Sequence, residues 1–299
     1  MTPLAGSIYH IPDSSGTANQ LDLPRFRGTF AFANQKGGVG KTTTAVSLAA
    51  CLADEGVETL IVDFDPQGNA STGVGIDRRS VKIGTYEVLA GLDPTEGIRA
   101  TEIERLSILP STIDLAGAEI ELVAAFARES KLRSVLAPLR DRYAAILIDS
   151  PPSLGLLTIN ALVAADAVVV PIQCEYYALE GLGQLTRTLE LVRDGLNPTL
   201  AIAGVVLTMY DARTRLAEQV VAEVRRHFGD DVFRSVIPRS VRLSEAPGFG
   251  RPITRYDPTT RGAQAYRDLA RELITRWSAL RPADVNRVVV LDEANPEEG

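Results

Sequence analysis

Short apolar runs recur along the chain, and stretches with the apolar spacing of helices lie between them. The runs are continuous and rich in valine and isoleucine, which is typical of strands buried on both faces of a parallel sheet. They predict strands over 29–34, 59–65, 144–150, 167–173 and 200–208. The intervening stretches predict helices over 42–55, 115–140, 155–164, 179–194 and 214–228. This alternation predicts an α/β fold, a doubly wound and mostly parallel sheet with right-handed crossovers in a single domain.

The two ends of the 299-residue chain differ from its middle. Residues 1–27 are polar and contain many serine, proline and aspartate residues, so we expect a flexible N-terminal arm. Residues 282–299 finish in the acidic sequence LDEANPEEG, which predicts a loose acidic tail. The predicted domain therefore covers residues 28–281.

Composition narrows the classes of function. The formal net charge of −7 argues against a wholly basic nucleic-acid-binding protein, so any contact with DNA must come from a local patch. No apolar run is long enough to span a bilayer, and the N-terminus lacks the pattern of a signal peptide, so we expect a cytoplasmic protein without a membrane partner. The two cysteines, Cys51 and Cys174, fit neither a disulfide framework nor a metal-site spacing, and we expect buried free thiols.

The segment QKGGVGKT, residues 35–42, has the features of a phosphate-binding loop. It follows a predicted strand and precedes a predicted helix, which is the context that such loops require. Gly37, Gly38 and Gly40 let the backbone approach phosphate oxygens, and the start of the helix adds its positive dipole. Lys41 would neutralise the β- and γ-phosphates of a nucleotide, and the Thr42 hydroxyl would ligate Mg²⁺.

The loop departs from the usual pattern G-x-x-x-x-G-K-[ST] at its first position, where Gln35 replaces glycine and Lys36 follows. In this respect KGGVGKT resembles the deviant Walker A motif, K-G-G-x-G-K-[ST], of the ParA and MinD superfamily of P-loop ATPases. The resemblance implies a fold of the P-loop NTPase type and ATP and Mg²⁺ as cofactors. It also implies an ATP-dependent homodimer, in which Lys36 reaches the phosphates bound by the partner subunit. Val39 and Thr43 join the nucleotide-binding residues on the same ground.

Carboxylates follow two of the predicted strands, at the edge of the sheet where ligands of open α/β folds bind. Asp63 and Asp65 lie two residues apart near the end of one run, so both would point to the same face of a strand. Asp149 ends another run. The segments DFDPQGN and DSPPS resemble switch I and switch II of the superfamily, and Asp149 resembles its Walker B residue. The implied metal-binding residues are Thr42, Asp63 and Asp149, and the implied catalytic residues are Lys36, Lys41 and Asp65.

Further segments resemble the ParA/Soj chromosome-partition branch in particular, over about residues 28–279. They are DPQGNASTGVG, DSPPSLGLLTINAL, PIQCEYYALEGLGQL, LTMYDARTRL and VIPRSVRLSEAPGFGRPI. The resemblance implies a nucleoid-associated ATPase whose dimer binds double-stranded DNA without sequence preference. It further implies slow hydrolysis that a ParB-type centromere-binding protein stimulates. The adenine base would lie near Met209, Asp211 and Pro238.

Residues 211–267 hold eleven arginines against seven acidic residues, so this acidic protein has a locally basic region. Arginine contacts to phosphate oxygens give affinity for DNA without reading bases. The resemblance identifies four arginines as DNA-binding residues: Arg213, Arg239, Arg242 and Arg251. For Arg225 and Arg226 we expect an ordinary solvated helix face with salt bridges.

Three other functions share parts of this pattern. A MinD-like membrane-associated regulator of cell division would need a basic amphipathic helix, whereas this chain ends in acidic residues. An iron-sulfur protein of the nitrogenase reductase type would need two suitably placed cysteines per subunit. A DNA-binding regulator of transcription or replication with weak ATPase activity would keep all the residues named above. Whether the cargo is a chromosome or a plasmid stays open.

Overall fold

The computed structural model describes residues 21, 23–175 and 182–279, and these residues contain one eight-stranded sheet. The strands are β1 (Gly28–Phe32), β2 (Thr59–Asp63), β3 (Arg99–Ala100), β4 (Leu106–Leu109), β5 (Ala145–Asp149), β6 (Ala167–Gln173), β7 (Ala201–Tyr210) and β8 (Val232–Pro238). Their order across the sheet is β3-β4-β2-β5-β1-β6-β7-β8. Every neighbouring pair is parallel except β3 with β4, which is antiparallel at one edge.

Helices cover both faces of this sheet. They are α1 (Lys41–Asp54), α2 (Asn69–Gly73), α3 (Thr85–Leu89), α4 (Pro94–Gly97), α5 (Leu115–Val123), α6 (Lys131–Leu136), α7 (Leu156–Ala164), α8 (Leu182–Gly195), α9 (Arg215–Phe228), α10 (Val241–Glu245), α11 (Ile253–Tyr256) and α12 (Arg261–Ala279). One apolar core packs α1 and α12 against one face of the sheet. A second packs the five helices from α5 through α9 against the opposite face. The predicted doubly wound, mostly parallel α/β sheet is therefore confirmed. Among the described helices, none is both long and apolar enough to cross a bilayer.

The five predicted strands correspond to β1, β2, β5, β6 and β7. The sequence did not predict β3 and β4, which have only two and four residues, or β8. In β8 buried residues are interrupted by exposed and half-buried ones, as suits the edge of a sheet, and the strand ends in Pro238. Short or edge strands lack the continuous apolar run that identifies a central parallel strand.

The predicted helix over 115–140 is wrong, because α5 and α6 are separate helices and a short 3-10 turn follows them. Between them Ala127 has φ of 51°, in the left-handed region that ends a helix. The side chain of Asn160 fixes this break: its Nδ2 donates to the Arg128 carbonyl at 2.8 Å, and its Oδ1 accepts from Leu132 N at 3.2 Å. Pro138 then lies in the 3-10 turn. A helix with the right apolar spacing is thus interrupted by a contact from α7.

The predicted arm over 1–27 and the predicted tail over 282–299 lie outside the described residues, apart from residues 21 and 23–27. The first three residues of the predicted helix over 179–194 also lie outside them. Packing begins before residue 28, because Phe26 is fully buried and Trp277 Nε1 donates to the Arg27 carbonyl at 2.8 Å.

The parallel register brings the ends of three central strands together. Asp63 at the end of β2 and Phe32 at the end of β1 both pair with Asp149 at the end of β5. The segments that follow these three strands therefore leave the sheet at one edge, where a doubly wound fold binds its ligands.

Candidate nucleotide-binding site

The loop between β1 and α1 has the backbone that a phosphate-binding loop needs. Gly38 and Gly40 have φ of 75° and 88°, which is the left-handed region that glycine adopts without strain. Gly40 is the residue before α1, so the helix begins at Lys41 directly after the turn. The first N–H groups of α1 lack intrahelical partners and can face an anion.

Neighbouring strands hold this loop in place. Asn34 Nδ2 donates to the Pro171 carbonyl of β6 at 2.8 Å, and Asn34 Oδ1 accepts from Lys36 N at 3.0 Å. Thr208 of β7 donates from Oγ1 to the Val39 carbonyl at 2.8 Å. The loop is therefore fixed from the sheet side before any ligand binds.

The two lysines of the loop lie in different environments. Lys41 is 6% exposed, and its Nζ donates to the Lys36 carbonyl at 3.3 Å. Burial lowers the pKa of Lys41, while the nearby Asp149 and Asp65 carboxylates act in the opposite direction. Lys36 is half-buried, and its ammonium has no acidic partner among the residues that the structure describes.

Asp149 is a buried carboxylate without a protein partner. It is fully buried, and neither of its oxygens has a hydrogen-bond partner. Burial raises its pKa well above the usual range, and Asp63 adds to the increase. The Thr42 side chain is near enough to oppose that increase, although no hydrogen bond of ordinary geometry joins the two. An unpaired carboxylate beside a threonine hydroxyl fits the oxygen ligands that Mg²⁺ prefers.

Asp63 has its carboxylate occupied by the protein. Its Oδ2 accepts from Ser71 N at 2.7 Å and from Ser71 Oγ at 2.6 Å, while Oδ1 accepts weakly from Asp65 N at 3.4 Å. Burial raises the pKa of Asp63 to about 6, against the lowering effect of these hydrogen bonds. Its place in the metal shell stays a prediction, and the contacts show that Asp63 anchors α2.

Asp65 lies beyond the strand that was predicted to contain it. Because β2 ends at Asp63, the expected alternation of a strand does not place the two carboxylates on one face. The turn after β2 holds Asp65 instead: its Oδ1 accepts from Gln67 N at 2.9 Å, and its carbonyl accepts from Gly68 N at 2.8 Å. The Asp65 side chain nevertheless reaches the cleft beside the phosphate-binding loop.

Two adjoining clefts follow the loop. The nucleotide cleft, of about 210 Å³, is lined by residues that include Gly38, Lys41, Thr42 and Asp65. A second cleft of about 120 Å³ is lined by Met209, Pro238 and Tyr266 among others. The two share Gly40, Thr43 and Met209. Met209 and Pro238, two of the predicted adenine contacts, therefore lie beside the phosphate-binding loop.

Asp211, the third predicted adenine contact, lies in a different cleft of about 590 Å³. Its carboxylate accepts from Arg213 Nε at 2.8 Å and from Arg213 Nη2 at 2.6 Å. The Arg213 guanidinium lowers the pKa of Asp211 below its usual range. The structure thus uses Asp211 to hold an arginine.

A family model described as an AAA domain matches residues 28–202. The sporulation initiation inhibitor protein Soj of Bacillus subtilis is 57% identical over 244 residues, covering 81% of this chain and 96% of that protein. The chain belongs to the Soj/ParA family of chromosome-partitioning ATPases. Another member, the chromosome partitioning protein ParA of Myxococcus xanthus, is 54% identical over 250 residues, covering 83% of this chain and 88% of that protein.

A solved structure agrees with the fold of this Soj/ParA protein. Cobyrinic acid a,c-diamide synthase from Mycobacterium smegmatis, with bound ATP analogue and magnesium, superimposes with a TM-score of 0.72 at 39% identity. The match covers 82% of this chain and 93% of that one. The resemblance to the ParA/Soj branch and the P-loop NTPase type of fold are both confirmed.

Four arginines, which we call the arginine surface, were predicted to contact DNA in this Soj/ParA protein: Arg213, Arg239, Arg242 and Arg251. The first three each pair with an acid. Arg213 pairs with Asp211, Arg239 with Glu175, and Arg242 Nη1 with Glu245 Oε2 at 3.0 Å.

Arg251, the fourth member, is exposed and has no ion pair among the described residues. Arg226, expected to lie on an ordinary helix face, pairs with Glu223 on α9. Ion pairing alone therefore does not separate the arginine surface from the rest of the protein.

The sequence missed residues that position the site without lining it. Asn34 ties the loop to β6, Ser71 holds Asp63, and Arg78 contacts the turn that carries Asp65. No local pattern marks them, because each acts through a partner that the fold, and not the spacing, brings close.

Proposed function

We propose that this Soj/ParA protein is an ATP- and Mg²⁺-dependent switch for partitioning DNA. ATP joins two copies, the dimer binds double-stranded DNA without sequence preference, and hydrolysis releases it. A ParB-type centromere-binding protein stimulates the hydrolysis. The protein acts in the cytoplasm, associated with the nucleoid. The resulting release near the centromere moves or positions the cargo.

The contrast between the two lysines of the loop carries this proposal. Lys41 is buried and held against the loop, as suits a residue that binds the phosphates of its own subunit. Lys36 is half-buried, and its ammonium lacks an acidic partner in the described part of the chain. Two lysines on one short loop suit a site that binds a polyanion. Lys36 is therefore available to phosphates bound by a second copy.

The chain's own residues support hydrolysis as follows. Gly37, Gly38 and the first amides of α1 orient the phosphates. A bound Mg²⁺ would polarise the phosphoryl oxygens, and Asp149 and Thr42 are the residues that would hold it. Asp65, held by Gln67 N at 2.9 Å, accepts a hydrogen bond from the attacking water and orients it.

The arginine surface supplies contacts to DNA phosphates. The arginine side chains in its ion pairs are exposed or half-exposed, so exchanging a carboxylate for a phosphate oxygen costs little. Two copies joined by ATP present two such surfaces, and modest affinity per copy becomes useful avidity. DNA binding should therefore depend on ATP and weaken steeply with salt.

The test is binding to random-sequence duplex DNA at several salt concentrations, with and without ATP. The wild type and Asp65→Ala should bind with ATP, and Asp65→Ala should dissociate more slowly because it hydrolyses ATP poorly. Lys36→Ala should lose binding because the dimer fails to form. Arg242→Ala should bind weakly, with a salt slope reduced by about two units, because each copy of the dimer loses one phosphate contact.

Two matched controls separate these effects from a general loss of positive charge. Lys82→Ala removes an exposed lysine that is not part of the loop, and Arg225→Ala removes an exposed arginine of α9. Both should bind as the wild type does. If ATP makes no difference to DNA binding, or if DNA is never bound, the partition switch is wrong.

A further inference from the structure

Arg78 contacts the turn that carries Asp65. It begins a short 3-10 turn whose preceding residue, Asp77, accepts from Arg79 N at 3.0 Å. The Arg78 guanidinium donates to two consecutive carbonyls, from Nη2 to Pro66 O at 2.8 Å and from Nη1 to Gln67 O. Arg78 is not among the residues that line the nucleotide cleft.

Asp65 holds the same two peptide groups by their other ends. The peptide group that contains the Pro66 carbonyl also contains Gln67 N, which donates to Asp65 Oδ1 at 2.9 Å. The next peptide group contains Gly68 N, which donates to the Asp65 carbonyl at 2.8 Å. The N–H and C=O of a trans peptide point in opposite directions. Arg78 and Asp65 therefore fix opposite ends of each group.

The close approach of Arg78 depends on Gly68. A Cβ built on Gly68 would lie 2.1 Å from Arg78 Nε, so any larger residue would displace the guanidinium. Gly68 also has φ of 63°, in the left-handed region that favours glycine. Arg78 Nε is buried without a hydrogen-bond partner, so the two terminal nitrogens make the contacts. A planar fork of donors is what two neighbouring carbonyls require.

We propose that Arg78 is a positioning residue for ATP hydrolysis, acting through Asp65. By holding the Pro66 and Gln67 carbonyls, it fixes the Gln67 N–H that orients the Asp65 carboxylate toward the nucleotide cleft. This inference rests on the proposed role of Asp65. Arg78 should therefore affect the turnover of ATP but not its binding, because Asn34 and Thr208 anchor the phosphate-binding loop independently.

The test is the steady-state ATPase activity of full-length Arg78→Ala at varied ATP concentration. The kcat should fall roughly tenfold or more, as expected when a reacting group is misplaced. The KM and the Kd for ATP should stay within about twofold of the wild-type values, because no contact to the nucleotide is lost. The matched control is Arg79→Ala, which removes the same charge from an adjacent exposed side chain and should leave both constants unchanged.

Two further variants test the route through Asp65. Arg78→Lys keeps the charge but cannot reach both carbonyls with a fork, so its kcat should stay well below that of the wild type. In an Asp65→Ala background, Arg78→Ala should lower kcat no further, because the group that it positions is gone.

A nucleotide-free readout tests the geometry itself. Hydrogen exchange of the Gln67 and Gly68 amides should be faster in Arg78→Ala than in the wild type, and unchanged in Arg79→Ala.

Several results would overturn the inference. They are equal kcat values for Arg78→Ala and Arg79→Ala, full restoration of activity by lysine, or additive losses in the Asp65→Ala background. A wild type that hydrolyses no ATP would overturn the proposed function and this inference with it. Normal hydrolysis with no effect at Arg78 would overturn the inference alone.

Discussion

The nucleotide cleft and the arginine surface place their charges in opposite environments. In the cleft Lys41 is 6% exposed. Asp149, at the end of β5, does not line the cleft but is fully buried, and its carboxylate has no hydrogen-bond partner. On the arginine surface the side chains of Arg213, Arg239 and Arg242 are 86%, 51% and 56% exposed. Each of these three arginines forms an ion pair with a carboxylate, whereas the buried carboxylate of Asp149 has no hydrogen-bond partner.

Because of this difference, the nucleotide cleft is stronger evidence for a bound ligand than the arginine surface is. A buried carboxylate without a hydrogen-bond partner is costly, so a fold that retains one at the ends of its central strands points to a bound cation. An exposed ion pair is worth about 0 to 1 kcal/mol and is common on any protein surface. A single substitution in the cleft should therefore abolish most of the ATP hydrolysis. A single substitution on the arginine surface should change DNA affinity only in part.

The largest expected effect is that of Lys41→Ala. Removing the buried ammonium leaves the phosphates without their main cation and leaves Asp149 and Asp65 without a counter-charge. We expect ATP hydrolysis to fall by about a hundredfold or more, as when one preorganised electrostatic contact is removed from an active site. A malachite-green phosphate assay measures it, with Lys82→Ala as the control. Retention of half the wild-type rate by Lys41→Ala would show that the cleft is not the hydrolysis site.

Asp149→Asn should have opposite effects on the stability of the protein and on its affinity for ATP with Mg²⁺. Because burial raises the pKa of Asp149, the folded state binds its proton more tightly than the unfolded state does, and wild-type stability falls as pH rises. Without metal and nucleotide at pH 7, Asp149→Asn should be at least as stable as the wild type. Its Mg²⁺-dependent ATP affinity should fall about tenfold or more, because the proposed metal site loses a charged oxygen.

Thermal unfolding in EDTA and ATP titration with and without Mg²⁺ measure these two quantities. Asp141→Asn, at an exposed acid before β5, is the control and should change neither. An Asp149→Asn variant that is less stable than the wild type and binds ATP normally with Mg²⁺ would mean that the carboxylate serves the fold and not a cation.

Sequence reasoning succeeded where function depends on local order along the chain. The phosphate-binding loop needs only glycines and a lysine between a strand and a helix, so QKGGVGKT could be identified directly. The central parallel strands were equally visible, because burial on both faces leaves a continuous apolar run.

It failed where a distant side chain decides the local structure. Asn160 interrupts the predicted helix over 115–140, and Ser71 of α2 occupies the Asp63 carboxylate. Arg78 reaches the Asp65 turn from eleven residues beyond Gln67. Such contacts join residues that are brought together only by the packing of the fold, so no short sequence motif predicts them.

A smaller effect should appear as pH dependence at Asp63. Its pKa is raised from 3.8 to about 6, so the protonated form is favoured in the folded state. Its contribution to stability is complete below the unfolded value and is lost as pH rises through about 6. A shift of this size corresponds to about 3 kcal/mol.

The free energy of unfolding of Asp63→Asn should therefore increase relative to that of the wild type as the pH rises from about 4 to 6. Urea unfolding in EDTA at pH 4.5 and 6.5 measures the change. Asp77→Asn, at an exposed turn, should track the wild type at both pH values. A constant difference between Asp63→Asn and the wild type would show that this carboxyl does not titrate across the range.

The smallest effect tests whether the acids of the arginine surface compete with DNA. Glu245 accepts from Arg242 Nη1 at 3.0 Å, so a DNA phosphate must displace it or share the guanidinium. Glu245→Gln removes one of the two acidic partners of Arg242 with little change in shape, and it leaves Asp257 Oδ2 at 3.6 Å from Arg242 Nε. ATP-dependent DNA affinity should rise a few-fold, about what one exposed ion pair is worth. The gain should shrink at high salt, because screening weakens the original pair as well. Fluorescence anisotropy with a labelled duplex measures it.

Glu223→Gln is the matched control, because it removes the same charge from the pair with Arg226 on α9. It should leave DNA affinity unchanged if only the arginine surface meets DNA. Equal gains for the two variants would mean that net charge and not the Arg242 contact controls binding. A loss of affinity in Glu245→Gln would mean that Glu245 positions Arg242 for the phosphate, so that the exposed pair is as preorganised as the charges in the nucleotide cleft.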